Sequence, residues 1–350
     1  VSIAVTIEEI ARLAEVSRST VSRVINNHPN VRPQVRERVL QVIREHDYAP
    51  NAAARSLASA RSRVISALIP RSAAQIFADP FFPTIIQGIS ESCAANGYFL
   101  MLAMLTAELE QGFYNQVLRG RYVDGLIMLS HDIDDPLLPQ LLRDPTPLVL
   151  IGRHPYLSGL AWVDVENRDG ARQATNHLIK LGHRRIATIT GPLMMTAGLD
   201  RRDGYKQALV EAGIPIEPEL IVEGDFTQEG GYQAMQQVIN LPERPRATFV
   251  ASDAMALGAL HALREVGLHV PRDMAIVGYD DLPVAVQTTP ALTTVRQPIA
   301  QMGAAAVRTL IEQIEDPSTL RTAVRLATTL VIRETCGAQI ADAEGGPIHV

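Results

Sequence analysis

The chain has 350 residues, 47% hydrophobic side chains and a formal net charge of −6, which suits a globular protein with more than one compact lobe and excludes a disordered or fibrous one. No stretch approaches the roughly 18 apolar residues of a membrane span, and the segment from Val1 to Val5 is too short for the apolar core of a secretion signal, so a cytoplasmic location is expected. Only Cys93 and Cys336 are present, without metal-ligand spacing; both are expected as thiols outside the function, with no metal and no cofactor.

Residues 6–26, TIEEIARLAEVSRSTVSRVIN, predict two short helices joined by a tight turn. Thr6 and Glu9 have the spacing of a capping box, each side chain serving the other's amide, and Val5 and Ile10 flank it as a hydrophobic staple. Ile10, Leu13 and Ala14 share one face of the first helix, and Val21, Val24 and Ile25 form the matching face of the second. The turn falls at Ala14-Glu15-Val16, and Ser17 is placed to cap the second helix. Arg18, Ser19 and Ser22 then look outward at the start of that helix. This pattern is a helix-turn-helix, in which Arg18 is positioned to offer a bidentate fork to a guanine edge, while Thr20 and Arg23 grip phosphate or support the helix. The alternative is an ordinary helical hairpin with a charged face.

A third helix starts near Val31, with Pro33 in its first turn and Val35, Val39, Val42 and Ile43 at helical spacing. After Tyr48-Ala49-Pro50-Asn51 comes AAARSLASARS, an alanine-rich stretch too short to be stable as a helix alone in water, so it is expected to order on a partner. Charge is divided in the same way. Residues 1–63 carry ten Lys and Arg against six Asp and Glu, a net of +4, leaving −10 for residues 64–350. The basic part is the one expected to release counterions from phosphates, through Arg12, Arg23, Arg36, Arg38, Arg55 and Arg61.

Beyond the alanine-rich stretch, short apolar runs alternate with helix-length segments: VISALIP, YFLMLAML, DGLIMLS, PLVLIG, RRIATIT, ATFVASD and AIVGYDD. Each run suits a buried parallel strand, which predicts a doubly wound α/β body. Ligands of such sheets sit beyond the carboxyl ends of the strands, so Arg71, Ser130, Arg153, Ser252, Asp253, Tyr279 and Asp280 are candidates. His131 and His154, lone histidines at strand ends, are expected to be structural. The fingerprints G-x-G-x-x-G, Walker A, H-E-x-x-H and G-x-S-x-G are all missing, so no enzyme is expected.

The motifs T-I-E-E-I-A-x-x-A-x-V-S-x-S-T-V-S-R-V-I-N and Y-A-P-N-A-A-A-R-S-L-A resemble the lactose-repressor (LacI/GalR-type) family of bacterial transcription regulators. The resemblance continues in DPFFPTIIQGI, in V-D-V-E-N-R-D-G-A, R-R-D-G-Y, G-D-F-T-x-E-x-G, S-D-A-M-A-L-G-A-L, I-V-G-Y-D-D and L-T-T-V-R-Q-P, with Asp79 where the family usually has Asn. It implies an all-α helix-turn-helix head (1–50), a hinge helix (51–62) and an α/β effector domain of two periplasmic-binding-protein-like lobes (63–337). The lobes would be 63–161 plus 290–321 and 162–289 plus 322–337, with crossings near Trp162, Thr289 and Arg321. Residues 338–350, which include Gly345, Gly346 and Pro347 and lack an apolar heptad, are expected as a mobile tail without a coiled coil.

By the same resemblance the DNA-contacting set is Thr6, Ser17, Arg18, Ser19, Thr20, Ser22, Arg23, Asn26, Val31, Tyr48, Asn51, Ala54 and Leu57, the last entering the minor groove. Arg201 and Asp280 match residues that hold sugar hydroxyls, with Phe81, Phe82 and Phe226 as flat surfaces and Ser130, Arg153 and Asp253 beside them. Pairing of Arg201 with Asp200 or Asp203, and plain core packing of the phenylalanines, are the local alternatives. The expectation is a homodimeric repressor on a palindromic operator, switched by a small carbohydrate between the lobes. A purine effector is the runner-up, and a sugar-binding transport protein the more distant rival. The sign of the switch is open, since members of the family are released from DNA by their ligands or require them.

Overall fold

The computed structural model describes residues 5–25, 28–48 and 61–338, in two compact units that divide between Arg63 and Val64. The first unit holds α1 (Ile7–Leu13), α2 (Arg18–Ile25) and α3 (Pro33–Glu45). Its core is formed by the predicted apolar faces: Ile10, Ala14, Val21 and Val39 are completely buried, with Val5, Val31 and Tyr48 packed around them. Thr6 caps α1 by accepting from the Glu9 amide at 3.3 Å. The reciprocal half of the capping box does not form, because the Glu9 carboxylate is taken by Arg12, whose Nη2 donates to it at 2.5 Å. Glu15 adopts a left-handed φ of 52° at the turn, which lets the Val16 amide reach back to the Ala11 carbonyl at 3.0 Å.

The second unit contains two six-stranded sheets. The chain first builds β1 (Val64–Ile69), α4 (Ala73–Ala78), α5 (Phe81–Ala95), β2 (Phe99–Met104), α6 (Ala107–Phe113), β3 (Gly125–Leu129), α7 (Leu137–Leu141), β4 (Leu148–Ile151) and β5 (Ala161–Val165). It crosses to the second lobe for α8 (Asn167–Lys180), β6 (Ile186–Thr190), α9 (Thr196–Glu211), β7 (Ile221–Glu223), α10 (Gln228–Ile239), β8 (Ala247–Val250), α11 (Asp253–Glu265), β9 (Ala275–Asp280) and β10 (Thr293–Arg296). It returns for α12 (Ile299–Glu315) and β11 (Ala323–Leu326), then ends on β12 (Thr329–Val331) in the second lobe. The strand orders are β11-β5-β4-β3-β1-β2 and β12-β10-β9-β8-β6-β7. Every pairing is parallel except that of β12 with β10.

β3, β4, β6, β8 and β9 are buried along their whole length, as strands covered by helices on both faces must be. All seven apolar runs form strands. Close helix packing closes the first lobe, where a Cβ at Gly88 would stand 2.2 Å from the Ala300 carbonyl oxygen.

The three crossings differ from the expected positions. Trp162 lies inside β5 and pairs with Ala323 of β11 in the first sheet, β10 follows Thr289 but still belongs to the second sheet, and β11 follows Arg321 in the first. Each crossing was thus expected one strand too early. The strands concerned are short and carry Asp164, Thr293, Thr294 or Arg325, so they lack the apolar run that marks the others. Apart from residues 61, 62 and 338, the expected hinge and tail lie outside the described residues.

Candidate effector cleft and DNA-reading helix

The carboxyl ends of both sheets open onto one cavity of about 330 Å³, which contains Phe81, Phe82, Ser130, Arg153, Arg201, Phe226 and Asp280 in its wall. The topology explains the convergence, because loops following parallel strands all emerge on the same edge of each sheet. Ser130 follows β3 and Arg153 follows β4; Phe226 follows β7, and Asp280 ends β9. Left-handed φ values at Ser130 (55°), Phe226 (65°) and Asp280 (117°) aim these residues, a strain that surrounding packing must hold.

Arg201 is only 5% exposed. Its Nε donates to Asn167 Oδ1 at 2.9 Å, and its Nη1 donates to the Ala251 carbonyl at 2.6 Å and to Asp280 Oδ1 at 3.4 Å. The guanidinium carbon stands 3.7 Å from the centre of the Tyr279 ring and 5.6 Å from that of Phe226, so the planar cation is backed by aromatic faces. The local alternatives for Arg201 are not taken up: Asp200 accepts from Arg153 at 2.5 Å and Asp203 from Arg202 at 2.8 Å.

Asp280 also accepts from Gln297 Nε2 at 2.6 Å. Burial pushes its carboxyl up to about 7, against the pull of Arg201, and the nearby Asp79 adds to the rise. Asp79 itself is pushed up to about 6 by burial, while its Oδ1 accepts from the Phe81 amide at 2.9 Å at the start of α5. Beneath this group, Asp164 accepts from the Arg153 amide at 3.2 Å and from Asn167 Nδ2 at 2.8 Å. Polar contacts therefore run without a break from Arg153 through Asp164, Asn167 and Arg201 to Asp280.

Two of the expected residues do not line the cavity: Tyr279 is fully buried behind the Arg201 guanidinium, and Asp253 is turned away from the cavity. It is fully buried beneath the second sheet, accepting from Thr294 Oγ1 at 2.6 Å and from the Leu282 amide at 2.8 Å. It anchors the segment after β9, and the close packing leaves no room for a side chain at Gly278, whose Cβ would lie 2.4 Å from Asp253 Oδ1. Helix α11 explains the difference: as its first residue, Asp253 turns inward, whereas Ser252 caps the helix by accepting from the Met255 amide at 3.2 Å and faces the cavity. Asn167 and Gln297 were missed, although both stand in family motifs, V-D-V-E-N and V-R-Q-P. His154 is structural: its Nδ1 accepts from the Tyr156 and Leu157 amides at 3.2 and 3.1 Å, so its Nε2 carries the proton donated to the Ile133 carbonyl at 2.9 Å.

In the head, Arg18, Ser19 and Arg23 are exposed on α2, as are Ser17 before it and Thr6 at the cap of α1, while Thr20 and Ser22 are half-buried. Ser17 Oγ accepts from the Thr20 amide at 3.2 Å and lies 2.8 Å from Ser19 Oγ. Arg18 Nε is 3.3 Å from Glu8 Oε1 on α1. Val31 and Tyr48 are half-buried against the core, and Asn26, Asn51, Ala54 and Leu57 lie outside the described residues.

Residues 6–51 match the bacterial regulatory proteins of the lacI family, and residues 175–336 match a periplasmic binding protein-like domain. The chain is 40% identical over 333 residues to the HTH-type transcriptional regulator CelR of Thermobifida fusca, covering 94% of this chain and 98% of that protein. The chain belongs to the lacI family. The ribose operon repressor of Escherichia coli K12 is 37% identical over 330 residues, covering 94% of this chain and 98% of its own. In structure, the lac repressor dimer bound to operator and the anti-inducer ONPF aligns with a TM-score of 0.84 at 29% identity, over 95% of this chain and 99% of that one. The complex of CelR with cellobiose aligns with a TM-score of 0.75 at 38% identity, over 94% and 99%. As a lacI-family protein this chain is a DNA-binding transcription regulator, with a helix-turn-helix head and a two-lobed α/β body. Among the described residues no helix is long and apolar enough to cross a membrane.

Proposed function

We propose that the protein is a homodimeric repressor, acting in the cytoplasm where its DNA lies and catalysing no reaction, whose affinity for a palindromic operator is switched by a small carbohydrate in the cleft. The observation that carries the effector class is the Arg201–Asp280 pair. A guanidinium fork and a carboxylate, buried together and backed by Phe226 and Tyr279, offer hydroxyls both donors and acceptors beside flat apolar surfaces. Similarity to CelR, solved with cellobiose, supports the same class. Dimerisation is favoured by β2, the outer strand of its sheet, where Phe99 and Leu102 are exposed.

On DNA, two heads read two half-sites, with Arg18 and Ser19 toward base edges and Thr20 and Arg23 toward phosphate; Leu57 of each hinge enters the minor groove between them. An effector that favours one lobe arrangement changes hinge pairing, a coupling free energy between cleft and operator. The test is a thermal-shift screen of mono- and disaccharides, sugar phosphates and purines on wild type and Arg201→Ala. A sugar should stabilise the wild type, and the variant should lose most of that shift; stabilisation by purines alone would replace the carbohydrate with a base while leaving the regulator intact. In parallel, Leu57→Gly should weaken operator binding and spare effector binding, and unchanged operator affinity would remove the minor-groove wedge.

A further inference from the structure

Two side chains in the wall of the cavity are buried and have no hydrogen-bond partner among the described residues. His131, just after β3 in the first lobe, is 5% exposed, and neither ring nitrogen meets a donor or acceptor. Thr196, the first residue of α9 in the second lobe, is 7% exposed, and its hydroxyl is likewise unpaired. Both line the effector cavity. Buried polar groups without partners are rare and costly, and a group of this kind in a cleft marks the place of something that completes it. The neighbouring histidine makes the contrast plain, since His154 stacks beside His131 with ring centres 6.2 Å apart and has both nitrogens satisfied by backbone.

These two groups sit where the lobes meet. The Ile133 amide donates to the Met194 carbonyl at 2.7 Å, and Arg71 Nη2 reaches Met195 Sδ at 3.8 Å, so the segments carrying His131 and Thr196 touch across the cleft. The Arg201 group lies elsewhere. Its partner Asn167 and the supporting Asp164 stand at the end of β5, and β4 lies between β5 and β3. In the first lobe two strand spacings, about 10 Å, separate the end of β3 from the end of β5, and in the second Thr196 precedes Arg201 on α9 by about 7.5 Å of helix rise, so a single ring held at Arg201 and Asp280 falls short of both groups.

Resting on the carbohydrate reading above, we propose that His131 and Thr196 form a second polar subsite for the far ring of a two-ring sugar, whose first ring is held at Arg201 and Asp280. The imidazole suits hydroxyls: desolvation holds it well below the usual histidine range, at about 4, so at neutral pH it presents one donor and one acceptor rather than a charge. A two-ring ligand hydrogen-bonded to His131 from one lobe and Thr196 from the other favours closure of this end of the cleft. A single ring at Arg201 lacks those contacts.

The experiment is isothermal titration of the full chain with D-glucose, cellobiose, maltose, lactose and adenosine, for wild type, His131→Phe, His131→Gln and Thr196→Val. At least one disaccharide should bind wild type at least tenfold more tightly than D-glucose, and His131→Phe and Thr196→Val should each reduce that preference to threefold or less without changing the D-glucose affinity. Retained D-glucose binding shows that a variant is folded, and His131→Gln, which keeps a donor and an acceptor, should hold part of the preference. Sugars that bind wild type without a two-ring preference, or a preference that survives in His131→Phe and Thr196→Val, overturn the subsite alone. Binding of adenosine with no sugar, or of nothing in the panel, overturns both the subsite and the carbohydrate reading.

Discussion

Arg153, at the end of β4, donates through Nη2 to Asp200 on α9 at 2.5 Å, an ion pair that joins one lobe to the other beside the effector cavity. Both side chains are largely shielded, at 29% and 15% exposed. With the backbone bond from Ile133 to Met194, it links the two lobes across the cleft.

Removal of that pair should shift the lobes toward separation. Asp200→Asn takes away the charge with little change in shape, and a partly exposed pair of this kind contributes about 1 kcal/mol. Apparent effector affinity should then fall roughly fivefold, and small-angle scattering of the ligand-free protein should show a larger radius of gyration than wild type. Equal scattering and equal affinity would mean that the pair follows closure without stabilising it.

A second prediction concerns pH. Burial raises the folded-state pKa of Asp280 to about 7 from an ordinary 3.8, with Arg201 lowering it and Asp79 and Asp253 as the other charged groups against it. In the unfolded chain the group loses its proton near its ordinary value. Between those two values the folded state binds the extra proton, so this contribution to stability is complete below about 4 and is lost as pH rises through about 7. Asp79, raised to about 6, has the same sign over a narrower window. Melting temperatures of wild type and Asp280→Asn should therefore be similar near pH 4 and diverge progressively in favour of the variant as pH rises to 8. A constant difference across that range would show that Asp280 is ionised throughout.

The parts legible in the sequence are those where one local signal decides. The α1 and α2 faces, the seven apolar strand runs and the Arg201–Asp280 pair each rest on a period, a run or a motif. Three kinds of feature were not legible. Strands with polar residues, such as β5 with Asp164, hide their burial because the polar group is satisfied by tertiary partners, here the Arg153 and Val165 amides and the Asn167 side chain. The direction of a helix-initial residue depends on how its helix meets the sheet, which is why Asp253 turned inward and Ser252 did not. His131 differs from His154 in being buried without backbone partners, a distinction that folding alone creates.

Gly191 gives a third prediction. A Cβ there would lie 2.0 Å from Phe226 Cζ and 2.4 Å from its Cε1, so the ring must move to admit it. Gly191→Ala should push the ring from the Arg201 guanidinium and weaken effector binding by roughly tenfold, about 1.4 kcal/mol, with an overpacking cost of about 1–3 kcal/mol in stability. Adding Phe226→Ala should recover most of the stability and none of the affinity. Additive losses in the double variant would show that the two residues do not meet.

The last prediction concerns operator reading. Arg18 is exposed on α2 but lies 3.3 Å from Glu8, so its fork is partly occupied before DNA arrives. Glu8→Gln removes the competitor and one negative charge from the DNA-facing side; an exposed pair of this sort is worth a few tenths of a kcal/mol to about 1, so binding to the preferred operator should tighten by roughly threefold. Exchange of Arg18 and Ser19 for other residues should instead change which base pairs are preferred, at about 1–3 kcal/mol for each base-edge pair lost. Binding-site selection with wild type, Glu8→Gln and the Arg18, Ser19 double variant separates the two effects. Glu8→Gln should return the wild-type consensus and the double variant a different one. The same consensus from all three would place base readout on residues other than the start of α2, while a changed consensus for Glu8→Gln would mean that the ion pair sets the direction of the Arg18 fork.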